Sequence, residues 1–338
     1  MWRRRRTAAL GIAAVLAAAA LSAAGQERSH VVTAAGRSVP RAYVVSHDGR
    51  VQVLDTKDGQ VVASANTGAW TTGAAVGPSG RRVYVVNGWA GVITAVDPVA
   101  GEVTGRIETR AQLAQAVLRP DGQRLYVTGG GAVAVVDPVS FRLVAAIKAG
   151  AQPQGIAITP DGRRLYVANS QDGTVSVLDT ASATPKTTID VGGMPQHVAV
   201  GPDGDAVYVS SVDAAGGAGT VSMIDPHADV VRWSTPVGRG AGSIAVTPDG
   251  RRVYVALNRR VAVVDTTTHV AKALRLRAKT LAIAPGDRRV FLSTGKTATV
   301  LDSADNRVLT TYQLSGLQDD GRGVATTAIA FEPFDPSS

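Results

Sequence analysis

Past residue 40 the chain alternates short apolar runs with polar punctuation, and no amphipathic helical period is visible. One stretch shows the unit clearly. Gly155 to Thr159, Leu165 to Ala168, Val175 to Leu178 and Thr187 to Val191 are four successive strand-like runs. Pro160-Asp161-Gly162 joins the first two. Proline presets φ, the aspartate side chain bonds nearby backbone, and glycine accepts positive φ, so the tripeptide predicts a tight turn between strands. Short β-branched runs bounded by turn residues predict an all-β fold.

The unit recurs. Its aromatic position is Tyr43, Tyr84, Tyr126, Tyr166, Tyr208, Tyr254 and Phe291, at spacings of 41, 42, 40, 42, 46 and 37 residues. The third run ends in aspartate each time: Asp55, Asp97, Asp137, Asp179, Asp225, Asp265 and Asp302. Four strands on a period near 40 residues predict the blades of a β-propeller. A proline precedes the aromatic by six residues in six copies, whereas the first copy has Arg37 there. The missing piece lies at the other end. Thr327 to Pro333 matches an innermost strand and its proline, with no blade behind it. The pattern therefore predicts a seven-bladed β-propeller with four antiparallel strands per blade, closed by the C-terminal strand joining blade 1. Closure also removes sheet edges that would template aggregation. The aromatics are expected to fill the interblade core.

The ends read differently. Arg3 to Arg6 precede an Ala-rich apolar stretch, Thr7 to Leu21, with small residues at Ser22 to Gly25. This is the pattern of a secretory signal peptide. The alternative is an uncleaved membrane anchor, which alanine, being weakly apolar, serves poorly. The arginine pairs leave Sec and twin-arginine export both open. The expected organisation is a signal peptide over 1–25, a linker over 26–41, the propeller over 42–333 and a tail over 334–338. The expected location is the exterior or the cell envelope, with no membrane span once the leader is cleaved. Losing the four leader arginines lowers the formal charge from +8 to +4, too mild to argue for nucleic acid by itself. Cysteine is absent, which excludes disulfides, thiolate metal sites and covalent c-type haem.

Leu165-Tyr166-Val167-Ala168-Asn169 followed by Val175-x-Val177-x-Asp179 resembles the YVTN-repeat β-propellers, including the secreted YncE-type proteins. Variants are Tyr84-Val85-Val86-Asn87, Tyr126-Val127-Thr128-Gly129 and Tyr208-Val209-Ser210-Ser211. The resemblance spans residues 42–333 and is specific for fold. It says little about function, because one superfold hosts unrelated activities; the broad group includes surface proteins, lactonases, lyases and cofactor-bearing dehydrogenase subunits. It implies that the links between blades and the loops between second and third strands line one mouth of the channel. Those positions are Thr72, Gln115, Gln154, Gln196, His197, Ser243, Lys279 and Thr327, joined by His47, Asp48, Asn87, Trp89, Asn169, Asp172, Asp213, Arg259, Arg260 and Lys296. A concave mouth with converging polar groups is the expected ligand site.

His197 stands where the neighbouring blade has Gly155. It reads either as a general base or metal ligand, or as a channel-lining residue bonded to water or backbone. His47 stands beside Asp48, which could orient it. Neither histidine has metal-ligand spacing, so no metal is expected. The four glutamates, Glu27, Glu102, Glu108 and Glu332, all fall away from this mouth, and its aspartates occupy turn-rich segments where aspartate is usually a turn former. No haem motif, phosphate-cradling loop or nucleophile elbow is present, so no cofactor is predicted. Trp70 and Trp89 fall together and read as a stacking surface for a sugar, quinone or peptide side chain, or, for Trp70, as a plug between blades 1 and 2. The insert Val212 to Gly219 reads as a lid or a passive loop.

The opposite face carries Arg81, Arg82, Arg163, Arg164, Arg251, Arg252, Arg288 and Arg289. They read as a polyanion-binding ring or as a solvated rim; interleaved aromatics for stacking bases are missing. The leading expectation is a monomeric, non-catalytic binding or scaffold protein whose partner is a protein, a wall polymer or a small ligand. Its ligand residues would come from His47, Trp70, Trp89, Gln154, Asn169, Gln196, His197, Arg259 and Lys279. The alternatives are a lactonase- or lyase-type enzyme with His197 as acid and base, and nucleic-acid binding through the arginine face.

Overall fold

The computed structural model describes residues 41–68, 70–215, 217–258, 260–284, 286–295, 297–314 and 326–331. The expected leader, linker and tail, residues 1–40 and 332–338, lie outside them, as do Arg259, Lys296, Asp319 and Asp320. Among the described residues, twenty-eight strands form seven four-stranded sheets, a seven-bladed all-β propeller.

Blade 4 shows how the repeat makes its sheet. Its strands are Pro153–Ile158, Arg164–Asn169, Thr174–Asp179 and Thr184–Asp190, counted outward from the channel. Tyr166 pairs with Ala157 on one side and Val177 on the other. The predicted turn forms as its residues require. Gly162 takes φ of 70° and donates to the Thr159 carbonyl at 2.8 Å, and the Asp161 carboxylate accepts the Arg163 N–H at 3.0 Å. Leu165 to Ala168 are fully buried, so the middle of this strand is a continuous apolar run, as burial of both faces demands. On the outermost strand only Ile189 is buried. The aspartate closing the third strand caps the next turn: Asp179 accepts the N–H groups of Ala181 and Ser182 at 2.9 and 2.7 Å.

The core is seven wedges, one between each pair of adjacent sheets. Tyr43 packs with Val76 and Val85 of blade 2, Tyr84 with Leu113 and Val127 of blade 3, and Tyr126 with Ile156 and Val167 of blade 4. Tyr166, Tyr208 and Tyr254 repeat this toward blades 5, 6 and 7. Phe291 completes the circle against Ala42, Val44 and Ile329 of blade 1. The C-terminal strand Thr326–Phe331 pairs antiparallel with Arg41–Ser46, through Ala42↔Phe331 and Val44↔Ile329. Phe331 meets Phe291 edge-on at 5.0 Å.

The arginine face is not one ring of equivalent groups. Within each pair, the second arginine reaches across to the neighbouring blade. Arg82 donates to the Pro138 carbonyl at 3.1 Å and Arg289 to the Thr56 carbonyl at 2.7 Å. Arg164 donates to the Pro226 carbonyl and Arg252 to the Ser303 carbonyl. These four staple blades together, which corrects their reading as free polyanion contacts. Arg81, Arg163, Arg251 and Arg288 stay exposed, and Arg163 lies 3.9 Å from the Asp161 carboxylate.

Two outcomes are expected. A chain ending at residue 325 should lose the single cooperative melt of the full protein, followed by circular dichroism, because blade 1 then lacks its inner strand. Arg164→Ala should cost about 1–2 kcal/mol in urea denaturation, since it removes a charged donor from a buried carbonyl. Arg163→Ala, one residue away, should cost less than about 0.5 kcal/mol.

Candidate ligand site at the channel mouth

The inner strands of blades 2 to 5 share a local irregularity near one end. The pairing register shifts between Thr71 and Gly73, Leu113 and Ala116, Pro153 and Ile156, and Pro195 and His197. Such bulges re-aim side chains, and here they turn residues toward the mouth. Counting back from each blade's tyrosine, Gly73, Gln115, Gly155 and His197 occupy one equivalent position. The glycines make room for their neighbours. A Cβ on Gly155 would lie 2.5 Å from the His197 Cα, and one on Gly73 would lie 3.0 Å from the Gln115 Cα. With no side chain on blade 4 between them, Gln115 of blade 3 meets His197 of blade 5, Nε2 to Nδ1, at 2.8 Å.

That contact sets the state of the histidine. The Gln115 amide donates to Nδ1, so the ring proton resides on Nε2. Burial pushes the His197 pKa down to about 4, and the ring is neutral near pH 7. Around it lies a cavity of about 640 Å³, lined by His47, Thr71, Thr72, Gln112, Gln115, Gln152, Gln154 and His197 with intervening small residues. No lining residue carries a fixed charge. The amides offer both donors and acceptors. Thr71 is buried, and its hydroxyl has no partner.

The aspartates of the mouth are committed to backbone. Asp172 accepts the Ala151 N–H at 2.6 Å and Asp213 the Gly217 N–H at 2.6 Å. Asp48 accepts from the Ser46 hydroxyl and the Arg50 N–H. It does not orient His47, whose ring instead meets Trp70 edge-on at 5.1 Å. Among the described residues no group of three metal-ligating side chains comes together.

Trp70 does not plug the gap between blades; it is 47% exposed, and Trp89 beside it is 73% exposed, with ring centres 6.4 Å apart. Its backbone lies in the left-handed region at φ of 71°, which a bulky residue seldom adopts. The Trp70 N–H donates to the His47 carbonyl at 2.8 Å, and its carbonyl accepts from Gly88 at 3.1 Å. Gln152, at the equivalent position of blade 4, also has positive φ.

Of the sequence candidates, His47, Gln154 and His197 therefore converge on one cavity. Gln196 and Lys279 line an adjoining cavity of about 420 Å³ with Asn258. Arg259 lies outside the described residues. Asn169 is corrected: it is fully buried, accepts the Gly150 N–H at 3.0 Å and donates to Thr174 and Ser176 at 3.0 and 2.9 Å. It builds the loop and lines neither cavity. Gln112 and Gln152 were not anticipated, because nothing in their spacing marks a bulge; their place beside the blade links is the one available signal.

Known proteins share the fold. A hydrazine synthase from Kuenenia stuttgartiensis superposes with a TM-score of 0.63 at 23% identity, over 69% of this chain and 77% of that one. A protein of unknown function from Desulfotomaculum acetoxidans superposes with 0.71 at 17% identity, over 87% and 99%. The dihydro-heme d1 dehydrogenase NirN superposes with 0.59 at 15% identity, over 83% and 74%. At these identities the likeness is one of fold. No family model and no curated protein matches the sequence.

The histidine makes a pH prediction. Its folded pKa, about 4, lies below the ordinary 6.5. Between those values the unfolded chain binds the extra proton, so this contribution is whole above pH 6.5 and is lost as pH falls toward 4. The His197 ring should stay neutral by NMR down to about pH 4. His197→Gln should flatten the slope of stability against pH between 4 and 6.5 relative to wild type.

Proposed function

We propose that this protein is an exported, non-catalytic binding propeller of the YVTN-repeat, YncE-type kind, whose ligand seats in the channel mouth. The observation that carries the reading is the neutral well around His197. A base with a pKa near 4 is a weak proton acceptor at neutral pH. Its Nδ1 is engaged by an amide rather than by an orienting carboxylate, and the nearby aspartates hold turns. The well is thus equipped to hydrogen-bond a polar ligand and poorly equipped to move protons. The repeat motif supports the family placement, and the basic, alanine-rich leader supports export to the medium or envelope.

The lactonase or lyase alternative would need an oriented proton acceptor; His197 is a weak one, and His47, the other imidazole of the cavity, meets Trp70 rather than a carboxylate. The polyanion alternative is weakened by the four arginines that staple blades. Purified mature protein, assayed against simple lactones and β-elimination substrates, should give no turnover above background. Turnover abolished by His197→Ala overturns the binding reading. Mass determination of the exported chain should place its N-terminus near residue 26, and retention of residues 1–25 overturns leader cleavage.

A further inference from the structure

The mouth is not uniform around the ring. The cavity around His197 has a neutral lining and the two tryptophans stand beside it; on those blades the exposed link cations are Arg110 and Lys148, outside that lining. On blades 5 to 7 the blade links and the second-to-third loop of blade 6 carry Arg239, Arg260, Arg275, Arg277 and Lys279, all exposed. Among the described residues none of these five enters an ion pair. On the opposite face several cations are paired, Arg119 lying 3.2 Å from Asp121 and Lys186 2.9 Å from Asp229, while Arg81, Arg251 and Arg288 are spread singly around the rim. Cations concentrated on one side of a polar mouth raise the local concentration of anionic ligands.

The two halves are continuous. A cavity of about 620 Å³ is lined by Val237, Arg239, Leu257, Asn258 and Arg260. It shares Leu257 and Asn258 with the cavity of Gln196 and Lys279. That second cavity borders the neutral well where Gln196 adjoins His197. The track therefore runs from exposed indoles, past uncharged amides, to arginines that enter no ion pair among the described residues.

Resting on the mouth-binding reading above, we infer that this track binds an acidic carbohydrate, a chain of sugar rings bearing carboxylates. Each part of the track answers to one part of that ligand. Indoles offer broad apolar faces with a polar edge, which suit the C–H faces of sugar rings. Glutamine amides and a neutral imidazole supply donors and acceptors together, which hydroxyl groups require. Guanidinium forks match carboxylates bidentately. A single-stranded nucleic acid would call for aromatics interleaved with the cations, and here they stand on opposite sides of the mouth. An acidic peptide would use the arginines and leave the indoles and amides without a role.

The test is calorimetric titration of the mature full-length protein with four probes: oligogalacturonate, its methyl ester, an oligomannuronate and hexaglutamate. At least one uronate should bind, with tryptophan fluorescence responding, and its affinity should fall on raising salt from 20 to 200 mM, in line with screening at roughly 8–10 Å near physiological ionic strength. Arg239→Ala/Arg260→Ala should weaken the uronate about tenfold and the ester less than about twofold, because only the acid uses the charged fork. Trp70→Ala and Trp89→Ala, at exposed positions, should weaken acid and ester alike about fivefold through lost aromatic contact. Hexaglutamate binding as tightly as the uronates, with Trp70→Ala still reducing it, overturns the carbohydrate assignment and leaves mouth binding standing. Ester binding as tight as acid overturns the role of the cations. Uronate binding unchanged in all these variants overturns both the assignment and the mouth as the site. Silence from every probe overturns the assignment alone.

Discussion

A four-stranded sheet with two apolar faces cannot persist in water unless both faces are covered. The wedge between neighbouring blades meets that constraint, and the rest of the molecule depends on it. Each wedge holds the aromatic ring of one repeat set against the inner strands of the next blade. Two of the rings are anchored as well as buried: the Tyr43 hydroxyl donates to the Gly80 carbonyl at 3.0 Å, and the Tyr254 hydroxyl to the Asn306 side chain at 2.6 Å. Emptying a large aromatic site typically costs about 3–5 kcal/mol, against total stabilities of about 5–15 kcal/mol for folded domains. A ring also has no redundant member. Phe291 faces blade 1 only because the C-terminal strand has returned to complete that blade.

This rigidity is what permits a site at the channel. Thr71, Gln115, Gln154 and His197 stand on inner strands, whose positions the wedges fix, and His47, Gln112 and Gln152 lie in the short segments next to strands. Gly155 shows how tight the arrangement is: one absent Cβ lets Gln115 reach past a whole blade to His197. Burial in that crowded throat, with a single amide donor as partner, keeps the imidazole neutral. Packing thus chose the electrostatic character of the well before any ligand enters it.

The two faces of the ring use charge in opposite ways. On the turn-bearing face, some arginines clamp adjacent blades, some pair with nearby carboxylates and others stay exposed, and the aspartates cap turns. On the mouth face, the aspartates also serve backbone, yet the cations of blades 5 to 7 have no such partner among the described residues. Composition alone cannot distinguish these cases. Arg163 and Arg164 are adjacent and chemically identical, but one points to solvent and the other to the Pro226 carbonyl.

The number of blades, the strands within each, the Pro-Asp-Gly turns and the closing role of the C-terminal strand were legible in the chain itself. All of them follow from local periodicity and turn chemistry, which repeat every forty or so residues and need no knowledge of what lies across the channel. The convergence of His47, Gln154 and His197 on one mouth was also within reach, since equivalent positions of a ring must face the same way. The burial of Asn169, the exposure of Trp70, the Gln115–His197 contact and the division of the arginines were decided by tertiary structure. Each depends on distances between residues of different blades and on bulges that reorient single side chains. Spacing along a chain carries no record of either.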